Sequence, residues 1–197
     1  MASREITAIR TRDDQRLAIE LDGKAWIILD ALSAARLGLI EGHAVPADLI
    51  VEAEAEAKRE RALLRGAQLV GRRSHARGEL EQRLARRDGD DAAREAIERL
   101  TELGAVDDAR HAANRVEHLL GKGWGPARIE HDLHAAGVDA ALIQRTLAGL
   151  DDEQLDAAAR IALGARDAAE GWQRLAARGF DESVAERLLP VPDVDGP

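Results

Sequence analysis

The residues able to do chemistry in this chain are few and scattered. Its six histidines are His43, His75, His111, His118, His131 and His134, and it contains no cysteine. His131 and His134 fall on adjacent turns of one predicted helix with Asp132 between them. A metal ion there needs further ligands converging from elsewhere, and surface histidines are the alternative. His111 and His118 share a helix face but stand about two turns apart. Gly121-Lys122-Gly123 is similar to the end of a phosphate-binding loop, yet that chemistry needs a serine or threonine directly after the lysine and a strand before the glycines. Here a glycine follows and a helix precedes. A flexible, basic interhelical loop with Trp124 as an apolar plug is the better reading. No nucleophile, base and orienting group come together, so the expectation is a protein that is not an enzyme and uses no metal or cofactor.

Charge is the second possible source of function. The chain has 197 residues and a formal net charge of −9, with aromatics at only 2%. Such a balance argues against a strong general nucleic-acid binder, because phosphate attraction and base stacking would both be weak. The total hides an asymmetry: from Lys58 to Arg99 the excess is about +4, and from Asp151 to the end about −6. Arg72, Arg73, Arg77, Arg83, Arg86 and Arg87 can form a phosphate-facing edge, or can pair with Glu79, Glu81 and nearby acids. With no cysteine, no run of about 18 apolar residues and no signal-peptide layout, a soluble cytoplasmic protein is expected.

The elements that must position these groups are mostly helical. A short phrase recurs: Leu100-Thr101-Glu102-Leu103-Gly104-Ala105-Val106-Asp107, Leu133-His134-Ala135-Ala136-Gly137-Val138-Asp139 and Leu175-Ala176-Ala177-Arg178-Gly179-Phe180-Asp181. The glycine can take the left-handed conformation that ends a helix, the apolar residue folds back onto that helix, and the aspartate caps the next one. About nine helices are predicted from Ala47 to Leu189, in three groups of three, and tandem repetition of such units builds a helical array. The Glu52–Ala57 stretch alternates alanine with glutamate and reads as an exposed linker helix. The next helix is expected to start at Ser74 as N-cap, and the one from Asp107 to Leu120 to place Ala109, Ala112, Ala113, Val116, Leu119 and Leu120 on its apolar face.

Before these helices, three strand-like runs (Ile6–Ile9, Arg16–Leu21 and Ala25–Leu29) form a meander, turning at Asp13-Asp14 and at Asp22-Gly23. The organisation expected is residues 1–46 for this extension, then helical repeats over 47–105, 106–150 and 151–190, with 191–197 a disordered tail. The three-helix unit is also similar to helix-turn-helix modules, so a helical DNA-binding regulator contacting phosphates through its first repeat is the alternative function.

Leu69-Val70-Gly71-Arg72-Arg73-Ser74 with Glu79-Leu80 and Leu84, then Leu103-Gly104-Ala105-Val106-Asp107-Asp108-Ala109-Arg110-His111-Ala112, then Lys122-Gly123-Trp124-Gly125-Pro126-Ala127-Arg128-Ile129 with Leu133 and Gly137-Val138, resemble the successive signatures of the RecX regulatory proteins. The ordered set runs from about Leu63 to Leu189. The resemblance implies a mainly α fold of three tandem three-helix repeats in a curved array, here with a small N-terminal β-meander. It implies binding to the RecA recombinase and its filament on single-stranded DNA, with inhibition of ATP hydrolysis, strand exchange and coprotease function. It implies no catalytic residue. Arg72, Arg73 and Arg77 in the first repeat, with Lys122, Trp124 and Arg128 in the second, are the expected partner-binding residues, toward recombinase or DNA phosphate. Asp107, Asp108, Gly104 and Gly137 are expected at helix ends. A monomer is expected, with at most weak direct binding to single-stranded DNA and no membrane contact. His111 departs from the pattern, standing where the family usually has an aromatic residue.

Overall fold

A computed structural model describes residues 4–13, 15–164 and 168–190. The chain forms two compact units, Met1–Arg73 with Leu80–Val106, and Ser74–Glu79 with Asp107–Pro197. The tail expected over 191–197 lies outside the described residues.

In the first unit, β1 (Arg4–Thr11), β2 (Arg16–Leu21) and β3 (Lys24–Asp30) form the expected antiparallel meander. Asp22 and Gly23 at the hairpin both have positive φ, 52° and 74°, as a tight turn between right-twisted strands requires. The sheet has a fourth strand, β4 (Ala44–Val45), which pairs with the start of β1 and makes the order β3-β2-β1-β4. Two residues carry no periodicity, so this strand had no signal in the sequence. Ile6, Ile19, Leu21, Ile27 and Leu29 point to one face and are buried.

That face needs a cover, and α2 (Ala47–Val70) supplies it after the short α1 (Ala31–Arg36). The expected exposed linker helix is therefore corrected: Ala53 and Ala57 are fully buried and share a core with the strands. Their small side chains let the helix lie close to the sheet, while the intervening glutamates reach the strands. Glu54 accepts from the Trp26 indole N–H at 2.9 Å, and Glu60 from the Asp30 amide at 2.7 Å. The second half of α2 packs with α4 (Asp90–Glu102) and with Leu80 and Leu84 of α3 (Arg77–Asp88). Gly66 permits this approach, since a Cβ there would lie 2.6 Å from Leu100. Asp88 at the end of α3 is buried and pairs with Arg65, with Arg61 further off at 3.6 Å.

The second unit contains α5 (Asp108–Leu120), α6 (Pro126–Ala135), α7 (Ala140–Ala148), α8 (Asp152–Leu163), α9 (Ala168–Arg178) and α10 (Glu182–Leu188). One continuous core runs through it, from Leu119, Ile129, Leu133 and Ile143 to Leu175, Phe180 and Val184. Ala109 and Ala113 of α5 are exposed, contrary to expectation, because His111 takes part of the inward face. α8 ends at Leu163, where Gly164 turns at φ 57°.

The repeated phrase does what its residue types dictate. Gly104, Gly137 and Gly179 have φ of 67°, 79° and 85°. Val138 and Phe180 are buried, and their amides donate back to Leu133 and Leu175 at 3.1 Å, closing the six-residue loop of a glycine helix stop. Ala105 makes the same bond to Leu100 at 2.9 Å, with Val106 buried beside it. Asp107, Asp139 and Asp181 then accept from the amides of Arg110, Leu142 and Val184.

Candidate partner-binding surface

Lys122, Trp124 and Arg128 are held by a fourth copy of this stop. Leu119 is followed by three residues, then Gly123 at φ 69°, then Trp124, whose amide donates to the Leu119 carbonyl at 3.1 Å. Only the aspartate is missing, its place taken by Gly125 before Pro126 at the first position of α6. The expectation of a flexible loop is thereby corrected. Gly123 is buried against α8, where a Cβ would come within 2.7 Å of the Ala162 amide. Lys122 is exposed on the rim, and its carbonyl accepts from Arg178 Nη1 at 3.2 Å. Trp124 is half-buried, packing one side against the core, and the Arg128 guanidinium lies 4.4 Å from its ring centroid. The stack is thus a flat cation on an indole packed against the core. Trp and Arg dominate binding energy at interfaces, and guanidinium pairs with carboxylate or phosphate in a planar fork.

Behind this edge the backbones touch. Gly125 N–H donates to the Arg178 carbonyl at 2.8 Å and Ala127 N–H to the Gly179 carbonyl at 3.1 Å. A Cβ on Gly125 would lie 2.4 Å from Gly179 backbone atoms, and one on Gly179 would lie 2.6 Å from the Arg128 amide. The position of Arg128 thus depends on two glycines meeting face to face.

Arg77 stands at a related joint. Gly78 lies against Gly137, with a Cβ contact of 3.0 Å, and Glu79 N–H donates to the Ala136 carbonyl at 3.1 Å. α3 starts at Arg77, not at Ser74, because the Arg77 amide is capped by Asp108 Oδ1 at 2.7 Å from the start of α5. Ser74 bonds instead to His111 Nδ1 at 2.9 Å. His111 is buried, and desolvation holds its pKa below the ordinary histidine value despite the opposing pull of Asp108 and Glu79. Nearby, Arg115 grips Asp132 through two bonds of 2.7 and 2.8 Å, which pushes the carboxyl pKa down and the guanidinium pKa up. Asp132 is therefore engaged in an ion pair, and among the described residues no group of three side chains is placed to hold a metal ion.

Of the six expected partner-binding residues, Lys122, Trp124 and Arg128 are brought together on one edge, and Arg77 lies in the same unit at the second joint. Arg72 and Arg73 are exposed in the turn after α2 and belong to the first unit, where both amides donate to the Leu69 carbonyl. Arg178, which donates to the Lys122 carbonyl, and Ser74 as the partner of His111 were missed as supporting residues. The Leu119-to-Trp124 spacing would have revealed the fourth stop, because it is identical to the other copies.

A chain of short helices ended by glycine stops, with a rigid cationic edge, defines a helical-repeat protein. Residues 107–147 match the family model described as RecX, second three-helix domain. Regulatory protein RecX of Pseudomonas fluorescens is 34% identical over 137 residues, covering 64% of this chain and 88% of that protein. Regulatory protein RecX of Xanthomonas axonopodis pv. citri is 41% identical over 86 residues, covering 43% of this chain and 53% of that protein. In fold, a crystal structure of regulatory protein RecX matches 93% of this chain and 97% of its own with a TM-score of 0.72 at 19% identity. That of RecX from Lactobacillus salivarius matches 66% and 93%, with a TM-score of 0.58 at 17% identity. The chain belongs to the RecX family of regulatory proteins.

Proposed function

We propose that this protein is a non-enzymatic regulator of the RecA recombinase. It binds the recombinase filament on single-stranded DNA and lowers its ATPase, strand-exchange and coprotease activities. It acts in the cytoplasm as a monomer and needs no cofactor. Family membership supports the class, and the Trp124–Arg128 stack beside Lys122 is the observation that carries the contact. Arg72, Arg73 and Arg77 extend the cationic set toward recombinase carboxylates or strand phosphates. Tandem repeats suit a filament, since each can meet a different protomer and the contacts then act multivalently.

The test is the single-strand-dependent ATPase of the recombinase titrated with this protein. Inhibition at substoichiometric to stoichiometric ratios is expected. Arg128→Glu should raise the concentration for half-inhibition by about tenfold, the loss of a single interfacial anchor. No change in ATPase or filament lifetime with the wild-type protein would overturn the reading.

A further inference from the structure

The N-terminal sheet has a second face, opposite its core, and that face is basic. Side chains alternate across a strand, so Arg10 of β1 emerges beside Ala18 of β2, and Arg12, just past the end of β1, donates its amide to the Arg16 carbonyl at 2.9 Å. Across from Ala18 stands Ile28, and Trp26 follows on the same strand. Together with Arg61 from α2 these residues line a groove of about 500 Å³. Ala18 keeps the floor low, and the Trp26 ring forms a wall, fixed by its N–H bond to Glu54.

One carboxylate residue, Glu20, lines the groove beside the arginines. Glu20 pairs with Arg10 at 2.7 Å and Asp13 with Arg16 at 2.6 Å, both exposed pairs of the kind worth little in water. Asp88 is held by Arg65 and lies 3.6 Å from Arg61. Arg12 is exposed and has no ion pair among the described residues. Four arginines therefore line one groove of a chain whose net charge is −9.

We infer that this groove is a binding site for single-stranded nucleic acid, distinct from the recombinase-facing edge and independent of that reading. Arg10 lies on β1 and Arg12 directly follows its last residue, two positions on and about 7 Å away in extended chain, a spacing suited to successive phosphates of an extended strand. The fixed indole offers a stacking face for a base, which an acidic polypeptide would leave unused. The overall acidity limits affinity and makes binding depend steeply on salt.

The experiment is fluorescence anisotropy of a labelled oligothymidine with the full chain and no recombinase. Wild-type protein should bind at low salt and release as salt rises. The double variant Arg10→Ala with Arg12→Ala should bind at least about tenfold more weakly, and its log–log salt slope should fall by about 0.7 per arginine removed. Both side chains are exposed, so an unchanged circular dichroism melt is expected; Arg12→Lys, which keeps the charge, should retain most of the affinity. Absence of wild-type binding, equal binding by the double variant, or tighter binding of labelled polyglutamate than of the oligonucleotide would each overturn the inference. None of these outcomes bears on recombinase inhibition.

Discussion

The second unit contains two joints built on the same plan and finished with different chemistry. At one, Gly125 meets Gly179 and an apolar-backed Trp124 with Arg128 closes the edge. At the other, Gly78 meets Gly137, and Ser74, Asp108 and His111 close it with hydrogen bonds. The first admits no side-chain atom at all, since a Cβ on Gly125 would sit 2.4 Å from backbone on the facing turn. The second has 3.0 Å and is closed by polar groups, among them the His111 ring, whose burial favours the neutral form. Steric fit alone closes the first joint, whereas the second should respond to acid through His111.

Gly125→Ala should separate the two joints most sharply. With backbone on the facing side and nowhere to move, it should cost about 3 kcal/mol or more of unfolding free energy in urea titration. Gly78→Ala needs the facing Gly137 backbone to give only slightly and, as the second residue of α3, gains less than the roughly 1 kcal/mol of an interior position, so its net cost should be about 1 kcal/mol. Equal losses for the two variants would break the comparison.

Asp108→Ala should weaken the polar joint by about 1 kcal/mol through loss of the α3 cap, with Asp108→Asn retaining most of it. The pH dependence follows from His111. Its folded pKa lies below the unfolded value near 6.5, so the unfolded chain takes up the proton first as pH falls. Its contribution to stability is complete above about pH 6.5 and is lost as pH drops toward the folded pKa. His111→Phe should show a shallower decline between pH 6.5 and 5 than the wild type, measured as urea midpoints; parallel profiles would assign the acid sensitivity elsewhere. The smallest effect belongs to Arg128→Ala. Loss of a half-exposed cation–π contact should cost about 0.5–1 kcal/mol of stability, small beside its expected effect on inhibition.

Much of the fold was legible because its signals are local. The left-handed glycine, the buried residue after it and the capping aspartate act within one helix end, so Gly104, Gly137 and Gly179 behave as their spacing predicts. The runs Ile6–Ile9, Arg16–Leu21 and Ala25–Leu29 marked the meander for the same reason. Local reading failed where a partner came from another element. Glu52–Ala57 looks polar all round until the sheet claims its alanines. Ser74 looks like an N-cap until Asp108 takes that role and His111 takes the hydroxyl.

The candidate surface divides along the same line. Residue types and spacing determined the class of fold, the helix ends and the family signatures, because each depends on backbone geometry over a few neighbouring positions. Only the tertiary structure decided that Lys122, Trp124 and Arg128 form a fixed edge, that Arg115 engages Asp132, and that Arg10, Arg12, Arg16 and Arg61 share one groove. Each depends on an element distant in the chain: Arg178 and Gly179 behind the edge, Asp132 against Arg115, and Arg61 beside the strands. Packing brings them together, and no local pattern records which distant backbone will approach.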